Sequence, residues 1–242
     1  MMRTPIAAAN WKMNGNLALI ETFAKHAWPQ GNVEKIFGLP AIYLNKAHEM
    51  GLKILAAEDV SAHESGAHTG EISATMLKEV GVTYAIIGHS ERRTDHGENE
   101  ELLIEKWKQL KSQGLKVIYC IGESLQEYEA GKCDEAVLRQ MKPVLDAGLV
   151  DAETVIAYEP VWAIGTGKAA TAEYAQQVHA KIRALLQGNV ADVSDKIRIL
   201  YGGSVKPDNA AELFVGADID GFLVGGASLQ ADVFDKIVGA MV

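Results

Sequence analysis

Cysteine is scarce in this 242-residue chain: Cys120 sits in an apolar run and Cys133 in a polar one, and there are no others. Two thiols exclude a disulfide framework, and no His/Cys pair has the spacing of metal ligands. Long apolar runs are also lacking, and none approaches the ~20 residues of a membrane-spanning helix. Basic residues are outnumbered, with 23 Lys and Arg against 32 Asp and Glu for a net charge of −9. They are scattered along the chain, which argues against nucleic acid or an anionic membrane as a partner. A small anionic substrate stays open, because a few focused donors can bind phosphate on a protein of any net charge. No G-x-G-x-x-G follows the first apolar run, so the dinucleotide fingerprint is missing as well. Nor does any linker, low-complexity tract or charge block divide the chain, and one domain over 1–242 is expected. The opening stretch "MMRTPIAAANWKMNG" lacks a small-residue cleavage site, so the expected location is cytoplasmic.

What is present is a regular alternation. Hydrophobic residues make up 48% of the chain and charged residues 23%, a globular balance. Eight short β-rich runs alternate with longer amphipathic stretches: 5–10, 34–39, 53–58, 84–89, 116–122, 154–159, 197–203 and 221–226. Leu103, Trp107 and Leu110 share one helical face, as do Tyr174, Val178, Ile182 and Leu185. Ser124 and Glu127 have the spacing of a capping box, and Gly114 the place of a left-handed helix stop. Eight such units in this length predict an α/β fold, the (β/α)8 barrel of eight parallel strands surrounded by helices; an open doubly wound sheet is the alternative. In both, chemistry belongs at the C-terminal ends of the strands.

Polar residues stand at those ends. The first run closes in Asn10 and Lys12, which alternate and so share a side. The fourth leads into His89, Ser90, Glu91 and two arginines, Arg92 and Arg93, for which structural ion pairs are the expected role. The sixth closes in Glu159, where apolar surroundings should raise the carboxyl toward a general base, with a buried salt bridge as the other reading. Lys12 could equally be a surface lysine or a Schiff-base nucleophile, and His89 a satisfied core histidine. The seventh and eighth runs end in Gly202-Gly203-Ser204 and Gly225-Gly226. Each pair precedes a helical stretch, so bare N–H groups there could converge on one phosphate, where barrel phosphate sites tend to lie. After Glu159, Pro160 limits the exit from the strand, Trp162 can anchor, and Gly165-Thr166-Gly167 supplies a mobile tip, the ingredients of a lid.

Seven stretches in order, "NWKMNG", "GAHTGEIS", "IIGHSERR", "YCIGES", "AYEPVWAIGTGK", "YGGSV" and "GFLVGGASL", resemble the triosephosphate isomerase family from the first strand to the last helix. The resemblance implies interconversion of dihydroxyacetone phosphate and glyceraldehyde 3-phosphate through an enediolate, without metal or organic cofactor. On it, Glu159 moves the carbon-bound proton and neutral His89 polarises the substrate oxygens. Lys12 and Asn10 stabilise developing charge and hold substrate, and Glu91, with Ser90 next to it, supports the lysine. Gly165, Ser204, Gly225 and Gly226 match the family's phosphate grip. The lid corresponds to Pro160, Val161, Trp162, Ala163, Ile164, Gly165, Thr166, Gly167, Lys168, Ala169 and Ala170, and Tyr201 to the tyrosine that latches it closed. The family also implies a homodimer in which residues 65–71 reach into the partner near Asn10 and Lys12. A Schiff-base aldolase and a non-catalytic phosphate-binding barrel are the competing readings.

Two departures from the family pattern stand in the first third. The segment between "NWKMNG" and "AIYL" is a few residues short, which puts the second strand or its helix in doubt. Glu58 stands where the family commonly has Gln, near the expected subunit interface. A carboxylate buried there costs several kcal/mol unless protonated or paired, and association tighter at low pH is expected.

Overall fold

The computed structural model describes residues 3–164 and 170–242. Its strands are β1 (Ile6–Asn10), β2 (Glu34–Leu39), β3 (Leu55–Ala57), β4 (Val82–Ile87), β5 (Lys116–Ile121), β6 (Val155–Tyr158), β7 (Arg198–Tyr201) and β8 (Gly221–Val224). All pair in parallel with their sequence neighbours, and β8 returns to β1, closing the barrel. Around it run α1 (Leu17–Lys25), α2 (Ala41–Glu49), α3 (Ala74–Glu79), α4 (Ser90–Asp95), α5 (Glu100–Ser112) and α6 (Leu125–Glu129). Then follow α7 (Cys133–Asp146), α8 (Ala172–Asn189), α9 (Ala191–Ser194), α10 (Pro207–Phe214) and α11 (Ala231–Gly239), with short 3-10 turns at Val161–Ala163 and Gly226–Leu229. Among the described residues no helix is long and apolar enough to cross a membrane.

The period of two along each strand divides the core into two parts. Ile6, Ala8, Ile36, Ala56, Tyr84, Ile86, Ile118, Cys120, Val155, Ala157, Leu200 and Leu223 fill the barrel interior. The intervening residues, such as Phe37, Tyr119 and Ile156, pack outward against the helices. Carried one step further, the inward parity falls on Asn10, Gly38, Glu58, Gly88, Gly122, Glu159, Gly202 and Gly225. Five of these eight positions are glycine, so the C-terminal mouth of the barrel is a hollow edged by three polar side chains.

The second strand is complete, covering the expected 34–39, and the shortened segment before it still forms a nine-residue α1 capped by the Asn16 side chain. β3 is the abbreviated one, three residues long, and the fourth strand begins and ends two residues earlier than its hydrophobic run suggests. His89 is therefore the N-cap of α4 and lies outside the strand. The face of α5 is as expected, with Leu103, Trp107 and Leu110 buried. That of α8 is rotated: Ala175, Val178, His179, Ile182, Arg183 and Leu186 are buried, while Tyr174 and Leu185 lie at its margin. Polar His179 and Arg183 go inside because they find partners there, which a hydrophobic pattern does not register: His179 Nδ1 meets the Asp218 carbonyl at 3.1 Å and Arg183 binds Asp220 at 2.7 Å. The Ser124–Glu127 capping box is formed, and Gly114 takes a left-handed φ of 68°.

Candidate active site

Glu159 continues β6 by one residue, and its N–H donates to the Ile121 carbonyl at 2.7 Å. That ties the carboxylate's backbone to the end of the neighbouring strand. The fit depends on small neighbours, because a Cβ at Gly122 would lie 1.7 Å from the Glu159 carbonyl oxygen and one at Gly202 would lie 2.9 Å from Glu159 Cγ. Gly122 is held in turn by the Gln140 side chain, whose Oε1 accepts the Gly122 N–H at 2.8 Å and whose Nε2 donates to its carbonyl at 3.0 Å. Gly122→Ala is expected to lower stability by about 3 kcal/mol or more, since backbone rather than a movable side chain would have to yield. A urea midpoint within error of wild type would contradict that contact.

Glu159 is only 2% exposed. Its Oε1 lies 2.9 Å from His89 Nε2, and its Oε2 accepts the Ser90 N–H at 3.1 Å. Burial, the largest influence, pushes the carboxyl upward. The His89 ring, the Ser90 N–H and the nearby Lys12 together outweigh it and hold the carboxyl below the usual range. The expectation of a raised carboxyl is therefore corrected: a strand-end sequence shows the apolar approach to Glu159 but not the donors brought to it from α4 and its N-cap. His89 is the complement. Burial opposes charge on its ring, and the Glu159 carboxylate more than offsets that and lifts it. Its Nδ1 accepts the Glu91 N–H at 3.2 Å, which assigns the ring proton to Nε2, facing Glu159.

Lys12 is the only non-glycine among the described residues with positive φ, 54°. The conformation is costly for a side chain with a Cβ and is held because Asn10 Oδ1 accepts the Lys12 N–H at 3.2 Å. It brings Nζ to the mouth, 2.6 Å from Glu91 Oε1. An ion-paired ammonium is poor equipment for a Schiff-base nucleophile, which must be an unprotonated amine. Asn10, Lys12, His89 and Glu159 converge with Ile164, Ser204, Gly225 and Gly226 on one cavity of ≈ 280 Å³. There α10 starts at Pro207, three residues beyond Ser204, and Gly226 opens the second 3-10 turn.

The two described ends of the segment expected to form a lid are each fastened. Pro160 precedes the Val161–Ala163 turn, where Trp162 Nε1 donates to Glu123 Oε1 at 2.7 Å and the indole stacks on Tyr128 at 4.2 Å. On the far side the Ala170 N–H donates to the Tyr201 hydroxyl at 3.3 Å. Gly165, Thr166, Gly167, Lys168 and Ala169, expected as lid tip and phosphate donor, lie outside the described residues. Gly203 leaves no room for a side chain: a Cβ there would lie 2.2 Å from the Tyr201 hydroxyl and 3.1 Å from Pro160 Cγ. Glu123 is the residue that sequence reasoning passed over. Fully buried, it also accepts from the Tyr158 hydroxyl at 2.9 Å and the Tyr174 hydroxyl at 3.1 Å. The signal was available, since it is a carboxylate two residues past β5, as Glu159 is one residue past β6.

A second hollow of ≈ 760 Å³ adjoins the first and shares Asn10, Lys12 and His89 with it, and Glu58, Asp95 and His96 also line it. Glu58 Oε1 is buried there without a hydrogen-bond partner. Burial pushes this carboxyl up to about 8 against weaker opposing effects of Lys12 and His89, with Glu91 adding repulsion. Arg92 and Arg93 make the expected ion pairs, Arg92 with Asp59 and Glu98 and Arg93 with Glu100.

Polar side chains gathered at the C-terminal mouth of a closed parallel barrel, over a packed apolar interior, define a (β/α)8-barrel enzyme. Within that class the profile of the triosephosphate isomerase family matches residues 5–241, and the chain belongs to that family. It is 56% identical over 240 residues to triosephosphate isomerase from Dichelobacter nodosus, covering 99% of this chain and 100% of that protein. Against the enzyme from Paracidovorax citrulli it is 48% identical over 250 residues, covering 99% of each chain. The Vibrio cholerae enzyme is 46% identical over 250 residues, 99% of this chain and 97% of that one.

Proposed function

We propose that the chain is a cytoplasmic triosephosphate isomerase that interconverts dihydroxyacetone phosphate and D-glyceraldehyde 3-phosphate through an enediolate. The observation that carries this reading is the His89–Glu159 pair, 2.9 Å apart within the cavity that reaches the glycine turns. The phosphate sits at Ser204, Gly225 and Gly226, with Gly165 from the lid. Anchored there, the substrate extends toward Asn10 and Lys12 and comes between His89 and Glu159. That insertion changes the base. Glu159 exchanges the His89 and Ser90 donors that hold its carboxyl low for a carbon-bound proton, and burial then acts with less opposition and raises its basicity. Glu159 takes the proton from one carbon and returns it to the next. The Nε2–H of neutral His89 serves the two substrate oxygens in turn. Lys12 and Asn10 stabilise the negative charge that develops on them. Closure of the lid over the site excludes water and protects the enediolate from losing phosphate.

In deuterated water the product should carry solvent deuterium at the carbon that receives the proton. Turnover without any incorporation would replace proton transfer by a hydride shift. Borohydride treatment in the presence of substrate should leave the protein unmodified, and trapped substrate on Lys12 would favour an aldolase instead. The ≈ 760 Å³ hollow is the proposed seat of residues 65–71 from a second copy, making the protein a homodimer.

A further inference from the structure

The turn that presents His89 is fastened by one side chain from the helix it caps. Gly88 has φ 70°, and its carbonyl accepts Arg93 Nε at 2.7 Å. Arg93 Nη2 donates to the Cys120 carbonyl on β5 at 3.1 Å and reaches the Tyr119 hydroxyl at 3.3 Å, while Nη1 lies 2.6 Å from Glu100 Oε1. The Arg93 N–H also donates to the His89 carbonyl at 3.0 Å. Arg93 thus grips the peptide carbonyls on both sides of His89, one through its guanidinium and one through its backbone, and staples the turn to the neighbouring strand. There is no slack behind it, since a Cβ at Gly88 would lie 3.0 Å from Nη2 and 3.2 Å from the Cys120 carbonyl oxygen. Its side chain is 17% exposed and does not line the catalytic cavity.

We propose that Arg93 is a positioning residue for His89: its fork sets the direction of the imidazole Nε2–H while touching neither substrate nor Glu159. This inference rests on the isomerase reading of the site. Two carbonyl acceptors, one just past β4 and one on β5, with one hydroxyl and one carboxylate, match a planar five-donor guanidinium. The single ammonium of lysine keeps the charge but cannot span them.

Arg93→Lys and Arg93→Met are compared with wild type by isomerase kinetics, by inorganic phosphate binding and by nitrogen-15 NMR of the His89 ring. Both variants should lose about tenfold or more in kcat, the scale of a misaimed catalytic group, with KM within about threefold. Phosphate affinity should stay near wild type, because the Ser204 and Gly225 turns are untouched. The His89 resonances should move from a single Nε2–H tautomer toward a mixture. Lysine should rescue little of kcat; full rescue would mean that charge alone matters and would overturn the inference. So would a folded Arg93→Met with kcat within twofold of wild type, or a loss of kcat with unchanged His89 resonances. Should Arg93→Met fail to fold, Glu100→Gln loosens the fork from outside, and a fall in kcat of about twofold or more with shifted His89 resonances is then required. His89→Gln separates the two ideas. Full activity in that variant would sink the role of His89 itself, whereas an inactive His89→Gln beside normal Arg93 variants sinks only the positioning role.

Discussion

Glu159→Ala lowers isomerase turnover by about three to four orders of magnitude, the contribution expected of a positioned general base. Folding should be little changed, because the substitution removes a charge that burial penalises. His89 and the Ser90 N–H lose an acceptor but stand beside a cavity that water can enter. Glu159→Asp keeps the carboxylate and withdraws it by about one bond length, for which a loss of about 10²-fold is expected. The pH profiles add a sign. The carboxyl is held below the ordinary range by His89, Ser90 and Lys12. The acid limb of kcat/KM, which reports the free enzyme, should therefore lie below the usual carboxylate value. The acid limb of kcat, which reports the complex, should lie at higher pH because those partners have been exchanged for substrate. Coincident limbs would contradict the exchange, and a Glu159→Ala variant retaining most of its turnover would remove the residue from the chemistry.

Raising the pH from 5 to 8 should destabilise the protein by several kcal/mol through Glu58. Its carboxyl is pushed up to about 8 in the folded chain, whereas the ordinary value is 4.5. Between those values the unfolded chain has released a proton that the folded chain still holds. Folding stability consequently falls as pH rises across the window, by at most about 1.4 kcal/mol per pH unit, and the loss ends once both states are ionised. Glu58→Gln keeps the shape and removes its titration, so the variant should be more stable than wild type at pH 8 and lose less stability across the window. Urea unfolding at pH 5, 6.5 and 8 measures both. Because Glu58 lines the hollow proposed for a second copy, the same proton should tighten the dimer at low pH. Equal dimer affinity at pH 5 and pH 8 by sedimentation would separate Glu58 from association.

The parts legible in the sequence are those that depend on neighbours along the chain. A short apolar run placed β2 to the residue, and the Ser124–Glu127 spacing formed its capping box. Asn10, Lys12, His89 and Glu159 could be picked out because each is polar at the end of an apolar run, and the structure brings all four to one cavity. Where a helix buries polar groups, as α8 does with His179 and Arg183, the apolar pattern pointed one residue to the side.

Closure of the barrel decided the rest, because it sets side by side residues that are far apart in the chain. The sequence by itself determined the alternation of strand and helix, the glycines that leave the mouth hollow, and the identity of the polar groups around it, since these follow from local pattern and residue chemistry. Only the tertiary structure decided that Glu159 is held low by donors 69 and 70 residues away, that Glu58 Oε1 is buried without a hydrogen-bond partner, and that Glu123 gathers Tyr158, Trp162 and Tyr174 beside the Val161–Ala163 turn. The physical reason is the same in all three. A carboxylate's charge state is set by which donors and how much water surround it, and in a closed barrel those surroundings come from neighbouring strands and helices.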